Sequence, residues 1–292
     1  MAADTGTSTD ADQGVITITK GDRPLLKYQF TPSPYKVYVK QWYTPNGRQV
    51  LRDSPHDHVH HHALMYAIGA DGVDFWGENP SAKPGSQLPR GEPKVTVSDA
   101  EGAAAATISQ TIDWTGADGK RRLLEEREIT LDLDAIPGAS LLEWKTQFVP
   151  AAGLDKADLW GRHYFGLGLR MVPSMDNVGT FINSTGETGV HTRGTEYVVP
   201  AAWCAYTAPV DGAPVTIAMF CHQDNVRHPT KWFTMTKHFA YLSATLNLSK
   251  EPMTLTAHKP LDLRYGVVLW DGKVEKDAIQ KAYDAWSKGG DG

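Results

Sequence analysis

The 292-residue sequence lacks the features that mark several protein classes. It contains only two cysteines, Cys204 and Cys221, and no Cys-x-x-Cys pair. One disulfide and two buried thiols are both compatible with them, so the redox compartment stays open. No apolar run approaches the roughly 20 residues that a membrane helix needs. The longest candidates, such as residues 215–221, have the length of a strand, and no membrane is expected as a partner.

A strong excess of one charge is also absent. Lys and Arg total 29 against 34 Asp and Glu, which gives a net charge of −5 and argues against nucleic acid as the main partner. The glycine-rich nucleotide fingerprint, the P-loop, the Gly-x-Ser-x-Gly elbow and the His-Glu-x-x-His zinc motif are all missing. A nucleotide cofactor is therefore not expected, and no cofactor is certain.

Most of the chain shows the alternation of apolar and polar residues that is typical of strands. Segments such as 15–19, 35–43 and 122–133 alternate with period two, and turn residues separate them. Helical spacing occurs only near residues 274–287. We predict an all-β fold, a large antiparallel β-sandwich or supersandwich with one C-terminal helix. With no repeat or linker, residues 14–292 are predicted to form one domain after a polar, disordered tail at 1–13.

Five of the eleven histidines lie within residues 56–62. Imidazole binds metals and exchanges protons near neutral pH, so this density predicts chemistry. If residues 58–68 form a strand, His58, His60 and His62 share one face, with neighbours roughly 6.5–7 Å apart at the backbone. His58 and His60 would then make a metal-binding arm that needs further ligands from elsewhere. The alternative is a polar strand whose imidazoles bond to one another, to Asp57 and to the backbone.

Further polar clusters lie elsewhere in the sequence. Residues 221–232 combine imidazole, amide and guanidinium groups with an aromatic ring, which suits binding of sugar hydroxyls or a carboxylate. Their members are His222, Asn225, Arg227, His228 and Trp232. His163 opens a predicted strand and offers a second acid or base. Glu126 and Glu128 share a strand face, but neighbouring arginines favour cross-strand ion pairs over a glycosidase carboxylate pair.

The sequence resembles the PmoA-like family of bacterial proteins, which is defined by sequence and largely without assigned function. The resemblance spans nearly the whole chain and rests on residues 52–55, 57–64, 72–76, 183–186, 224–232 and 263–265. The family pattern differs from this chain at Val59, His62 and Ala63, which leaves the role of His62 open. The resemblance implies an exported, periplasmic or secreted protein of carbohydrate-degrading bacteria, with a β-sandwich akin to the galactose-mutarotase supersandwich.

Three functions follow as hypotheses. The first is an enzyme that cleaves a glycosidic bond by hydrolysis or β-elimination through histidine acid–base chemistry. Its general base would be His60 or His163, which predicts activity that rises through about pH 6–7. The other expected catalytic groups are Arg52, Arg227 and His222, and the expected substrate-binding residues are His61, Trp76, Asn225, His228 and Trp232.

The second hypothesis is a metalloenzyme in which a divalent ion is held by His58 and His60, completed by His222 or His228. The third is a protein that binds or isomerises sugars without cleaving them. All three predict that the clusters at 52–62, 163 and 222–228 converge on one concave face. The expected partner is a carbohydrate, and the oligomeric state is left open.

Overall fold

The computed structural model describes residues 5–100 and 103–289. It confirms the all-β fold class, because antiparallel strands make up most of this part of the chain. The strands are β1 (Thr5–Asp10), β2 (Val15–Lys20), β3 (Arg23–Gln29), β4 (Tyr38–Trp42), β5 (Leu64–Ala67), β6 (Gly69–Ala70), β7 (Val73–Asp74), β8 (Ser86–Pro89), β9 (Lys94–Ala100), β10 (Ala103–Thr115), β11 (Arg121–Asp132), β12 (Ala139–Pro150), β13 (Lys156–Trp160), β14 (Gly166–Arg170), β15 (Thr180–Asn183), β16 (Val190–Arg193), β17 (Glu196–Pro200), β18 (Trp203–Val210), β19 (Ala213–Cys221), β20 (Lys231–Met235), β21 (Tyr241–Thr245), β22 (Met253–Thr256) and β23 (Leu261–Asp271).

Within the described ranges these strands form two large sheets and one small sheet. Sheet A has the order β1-β2-β3-β4-β5-β14-β21-β20-β17-β16. Sheet B has the order β15-β18-β19-β23-β12-β11-β10-β8, and β9 also pairs with β10. The small sheet, β22-β13-β6-β7, has four strands. Most neighbours in sheet A are consecutive in the chain, but the pairs β5-β14, β14-β21 and β20-β17 join distant parts of the sequence.

The two large sheets pack face to face. Tyr66 of sheet A contacts the rings of Trp114 and Phe148 of sheet B, at centroid distances of 6.4 and 5.3 Å. Strand alternation then fixes which side chains face inward. Tyr66 is paired with Leu167, so these two side chains point toward sheet B, whereas Gly168 lies on the outer face of sheet A.

Sheet B buries a charged pair on its inner face. The Arg127 guanidinium donates two hydrogen bonds of 2.8 Å to the carboxylate of Glu125, and both side chains are almost fully buried. The alternate residues Glu126 and Glu128 lie on the outer face. Glu126 accepts a hydrogen bond from Thr111, which lies on the neighbouring strand. The predicted cross-strand ion pairs with arginines are not formed by Glu126; Glu128 instead lies 3.7 Å from Lys145 on β12.

One α-helix, α1 (Lys276–Lys288), closes the described chain, and it confirms the helix predicted at 274–287. Its apolar side packs on sheet B, where Trp286 and Tyr283 contact Phe220 at centroid distances of 5.7 and 5.6 Å. Two short 3₁₀ turns lie at Pro80–Ala82 and Pro173–Met175. No helix in the described residues is long and apolar enough to cross a membrane.

Two local predictions receive a structural answer. The tail predicted as disordered over 1–13 instead contains β1, which pairs with β2 from Thr5 to Asp10. The six-residue ladder gives the backbone groups of this segment regular partners, which polarity alone did not reveal. Residues 1–4 lie outside the described part. The cysteines are two buried free thiols rather than a disulfide.

Candidate functional site

A cavity of about 200 Å³ lies on the outer face of sheet A, and we call it the histidine cavity. Strands β14, β20, β21 and β17 form its floor, because Tyr241, Phe233 and Glu196 point outward in register with Gly168. The loop before β5 forms one wall. The lining residues are His58, His60, His61, Trp76, Tyr164, Arg193, Glu196, Phe233, Met235, Phe239 and Tyr241. The cavity thus combines imidazoles, a carboxylate and a predominantly aromatic wall.

The histidines lie in a turn, so the predicted strand over 58–68 is wrong in its first half. The amide of His58 bonds to the carbonyl of Pro55, and that of His61 to the carbonyl of His58, both at 2.9 Å. Strand pairing begins only at Leu64. Since a turn has no period of two, His58, His60 and His62 do not share a face. The turn instead stacks His58 on His61 at 4.7 Å, with His60 edge-on to His61 at 4.6 Å.

His62 points away from the cavity into a buried ion network. Its Nδ1 lies 2.8 Å from Asp53 and its Nε2 lies 2.8 Å from Glu78. Lys36, which is fully buried, donates to the same Glu78 oxygen. Burial lowers the pKa of His62, but the hydrogen bonds to Asp53 and Glu78 outweigh it and raise that pKa overall. His62 therefore anchors the loop.

The two histidines of the cavity behave in the opposite way. Burial, helped by the nearby charge of Lys36, lowers the pKa of His60 to about 4. Burial also lowers the pKa of His61 well below its usual range. His60 makes ring contacts with His58 and His61 but no side-chain hydrogen bond to any described residue. At neutral pH it therefore presents an uncharged imidazole with a free acceptor nitrogen.

Glu196 is a cavity residue that the sequence did not single out. It is 4% exposed, and its Oε1 accepts a hydrogen bond of 2.6 Å from Arg193. Its Oε2 has longer contacts, 3.3 Å to His163 and 3.4 Å to Thr192. The structure thus places His163 beside two lining residues, with its ring 5.0 Å from that of Tyr164, but His163 itself does not line the cavity. Only the outward register of β17 identifies Glu196, since an isolated glutamate in a strand carries no sequence signal.

Aromatic packing fixes the opposite wall. Trp76 stacks on Phe165 at 5.0 Å with an interplanar angle of 9°, and it lines the cavity as predicted. Phe239 contacts His58 at 4.8 Å and is covered by the Arg170 guanidinium, whose Cζ lies 3.6 Å from the ring centroid. Arg52 lies behind this group, 3.8 Å from Asp176, and it does not line the cavity.

The cluster at 222–232 lies elsewhere, so the predicted single site is wrong. His222 and Asn225 line a second cavity of about 580 Å³ on the outer face of sheet B, which shares no residue with the histidine cavity. Asn225 is held by the backbone of Arg264. The two cavities lie on opposite outer faces of the sandwich, and this separates the groups that the sequence suggested would meet.

The other members of that cluster have structural contacts. The Arg227 guanidinium donates to the carbonyl of Leu246. Trp232 is fully buried and points inward, where its indole donates to the carbonyl of Ala201 at 2.7 Å. The amide of His228 bonds to the carbonyl of Asn225 at 3.1 Å, and burial lowers the pKa of its ring. The roles predicted for Arg227 and Trp232 in a shared site are therefore not supported by their positions.

The predicted metal site is not assembled. Among residues 5–100 and 103–289, no three His, Cys, Asp or Glu side chains are arranged to hold a metal ion. His222, which would have completed the site with His58 and His60, lines the other cavity. His58 instead bonds to Asp57 at 3.0 Å. The donor set does not fit the ion, and we derive no chemistry from one.

Comparison with models of known families assigns the chain to one of them. A model of a family of unknown function, DUF6807, matches residues 15–284. The chain belongs to this family. A comparison with curated proteins gave no significant match. The resemblance to the PmoA-like family stays a prediction.

Solved structures share the fold at low sequence identity. The α-galactosidases AgaB and AgaA from Geobacillus stearothermophilus match with TM-scores of 0.52 and 0.50, at 11% and 10% identity. The galactosidase domain of an α-galactosidase-sucrose kinase matches with a TM-score of 0.50 at 8% identity. These matches cover 96%, 92% and 95% of this chain but only 43%, 41% and 43% of the solved chains. The DUF6807 chain thus spans about two fifths of those proteins, and the likeness establishes its sandwich fold.

Proposed function

We propose that this DUF6807 protein is a carbohydrate-active enzyme and that its substrate binds in the histidine cavity. The observation that carries the proposal is the presence of an uncharged His60, with a free acceptor nitrogen, in a cavity that is otherwise mainly aromatic. Aromatic rings stack on the apolar faces of sugars, and a few polar groups fix their hydroxyls. The α-galactosidase names of proteins with this fold agree with a carbohydrate substrate, as an analogy at the level of fold.

The volume of the histidine cavity suits the enclosure of one sugar unit. A volume of about 200 Å³ is smaller than the roughly 300–1,000 Å³ of pockets for drug-sized ligands. An oligosaccharide would therefore place one residue inside and the remainder outside. Glu196 offers its less tightly held oxygen, Oε2, to a hydroxyl of that residue.

In the proposed reaction, His60 is the general base. Its unprotonated nitrogen accepts the proton of an attacking water in hydrolysis, or of the carbon next to a carbonyl or carboxylate in β-elimination. The C–O bond to the leaving group breaks in either reaction, and the released oxygen takes its proton from solvent water. Because its pKa is lowered to about 4, activity that depends on this base should rise through about pH 4 and not through pH 6–7. This expected pH profile differs from the rise through about pH 6–7 that an imidazole with an ordinary pKa would give.

The test is a turnover screen on oligosaccharides, with reducing-end release reporting both reactions and ultraviolet absorbance reporting elimination. His60→Ala should lower the rate about 10²–10⁴-fold with an unchanged circular dichroism spectrum. His56→Ala is the matched control, because His56 is exposed in the same loop and does not line the cavity. Full activity of His60→Ala would refute the base.

A sugar-binding protein without turnover is the second candidate, and the same aromatic wall favours it. It predicts binding of the screened oligosaccharides without any product. In that case His60→Ala would change affinity only.

A further inference from the structure

The side-chain polar atoms around the histidine cavity include an unusual group without hydrogen-bond partners. Five buried atoms in this region have none: Nδ1 of His61, Nε1 of Trp76, the hydroxyl of Tyr241, and Nε and Nη1 of Arg170. Buried polar groups in proteins are nearly always paired, so such a concentration at one place needs an explanation. Elsewhere in the described chain, Tyr66, Trp144 and Tyr265 form a second such group in the core between the sheets, but that group lines neither the histidine cavity nor the cavity on sheet B.

These residues form one contiguous cluster. The His61 and Tyr241 rings lie 4.9 Å apart, and Trp76 lies 6.2 and 6.3 Å from them. Arg170 is the strand partner of Tyr241 across β14 and β21. Its guanidinium is covered by Phe239, and Phe239 itself lines the cavity. Phe239 therefore contacts the Arg170 guanidinium and also forms part of the cavity wall.

The cluster is rich in donors and poor in acceptors. Indole and guanidinium groups carry only N–H donors, and the Tyr241 hydroxyl adds an O–H. Arg170 is 1% exposed; Asp176 and Asp57 lie near its charge, but its one side-chain hydrogen bond to a described carboxylate is 3.4 Å long, from Nη2 to Asp57. The carboxylate that lines the cavity, Glu196, is already engaged by Arg193. The missing partner must therefore supply acceptor oxygens, and a buried guanidinium favours an anionic one.

The geometry points to an acidic sugar as the ligand, so that the monosaccharide unit bound in the cavity carries a carboxylate. Arg170, Tyr241 and Trp76 donate hydrogen bonds to this carboxylate after the Phe239 ring has moved away from the guanidinium. This inference rests on the proposed function, since it specifies the sugar that enters the same cavity. A carboxylate supplies two acceptor oxygens in the planar arrangement that a guanidinium fork matches.

The experiment is isothermal titration of the full chain at pH 7 with matched pairs: glucuronate against glucose, galacturonate against galactose, and their oligosaccharides. Acetate serves as the carboxylate without a sugar. We expect at least about tenfold tighter binding of the acidic member of a pair, the range for hydrogen bonds to a charged group. Tyr241→Phe should reduce this preference several-fold, and Arg170→Gln should remove it.

Tyr265→Phe is the matched control. Its hydroxyl is also buried and unpaired, but it lies on β23 of sheet B and does not line the histidine cavity. This variant should bind like the original protein. Tyr241→Phe removes a single oxygen, so it keeps the test valid if Arg170→Gln does not fold.

The outcomes separate the two proposals. Equal binding of acidic and neutral sugars, or an unchanged preference in Tyr241→Phe and Arg170→Gln, would overturn the acidic-sugar inference and leave the cavity as a sugar site. Binding of acetate as tight as that of glucuronate would also overturn it, because the sugar would then contribute nothing. Binding of no sugar in any form would remove both proposals together.

Discussion

Replacement of Lys36 by Met provides a sharp test of the buried network beneath the histidine loop. Lys36 is fully buried, with 0% of its surface accessible, and it donates to Glu78, which also binds His62. Met fills nearly the same volume without the charge. The change therefore removes one positive partner of Glu78 without creating a large void.

The expected loss follows from these contacts. Removal of one partner from a buried ion pair costs about 3–5 kcal/mol when the remaining charge has no other partner. Here His62 remains 2.8 Å from the Glu78 carboxylate and compensates in part. We therefore expect a loss of about 2–3 kcal/mol in the free energy of unfolding at pH 6.

This loss should grow with pH. The folded-state pKa of His62 is raised, so its stabilising charge is fully present below about pH 6.5 and disappears as the pH rises through the higher folded value. Without Lys36, Glu78 then has no positive partner, so the loss should grow as His62 loses its proton, up to the pH at which Lys36, whose pKa is lowered by burial, loses its own charge. Urea denaturation of both proteins from pH 6 to 9 measures this difference.

The control is Lys156→Met. Lys156 lies 3.7 Å from Asp158 with its side chain 65% exposed, and exposed pairs of this kind contribute about 0–1 kcal/mol. If Lys36→Met costs no more than the control at every pH, the buried network does not stabilise the loop and this reasoning is refuted.

Three further results are expected. The free energy of unfolding should fall by about 1–2 kcal/mol between pH 6.5 and 4, because His60 takes up a proton at a higher pH in the unfolded chain than in the folded one. Partial exposure of the ring makes this loss smaller than the pKa difference alone would give. Urea titrations of His60→Gln should show a smaller loss. Gly168→Ala should destabilise by about 1–3 kcal/mol and weaken sugar binding, because its Cβ would lie 2.0 Å from the Tyr241 hydroxyl; an unchanged melting temperature would contradict that contact. Cys204 and Cys221 should react with a thiol reagent only after denaturation, and rapid labelling of the native protein would contradict their burial.

The sequence alone predicted the features that depend on local patterns. Alternation of side chains along each strand identified the all-β fold, and helical spacing located α1 to within two residues. The density of histidines at 56–62 marked a cluster of which His58, His60 and His61 line a cavity. These features are local because strand and helix periods are set by neighbouring residues.

Tertiary structure decided which groups meet. Whether His60 and His222 share a cavity depends on the strand order of two sheets that pack face to face, and nothing near either residue specifies that order. Glu196 and Arg170 join the site through strand register, which the sequence leaves open. The lowered pKa of His60 and the raised pKa of His62, two residues apart in one loop, likewise arise from burial and from partners distant in sequence. Local patterns therefore determined the elements of this fold, and long-range packing determined its chemistry.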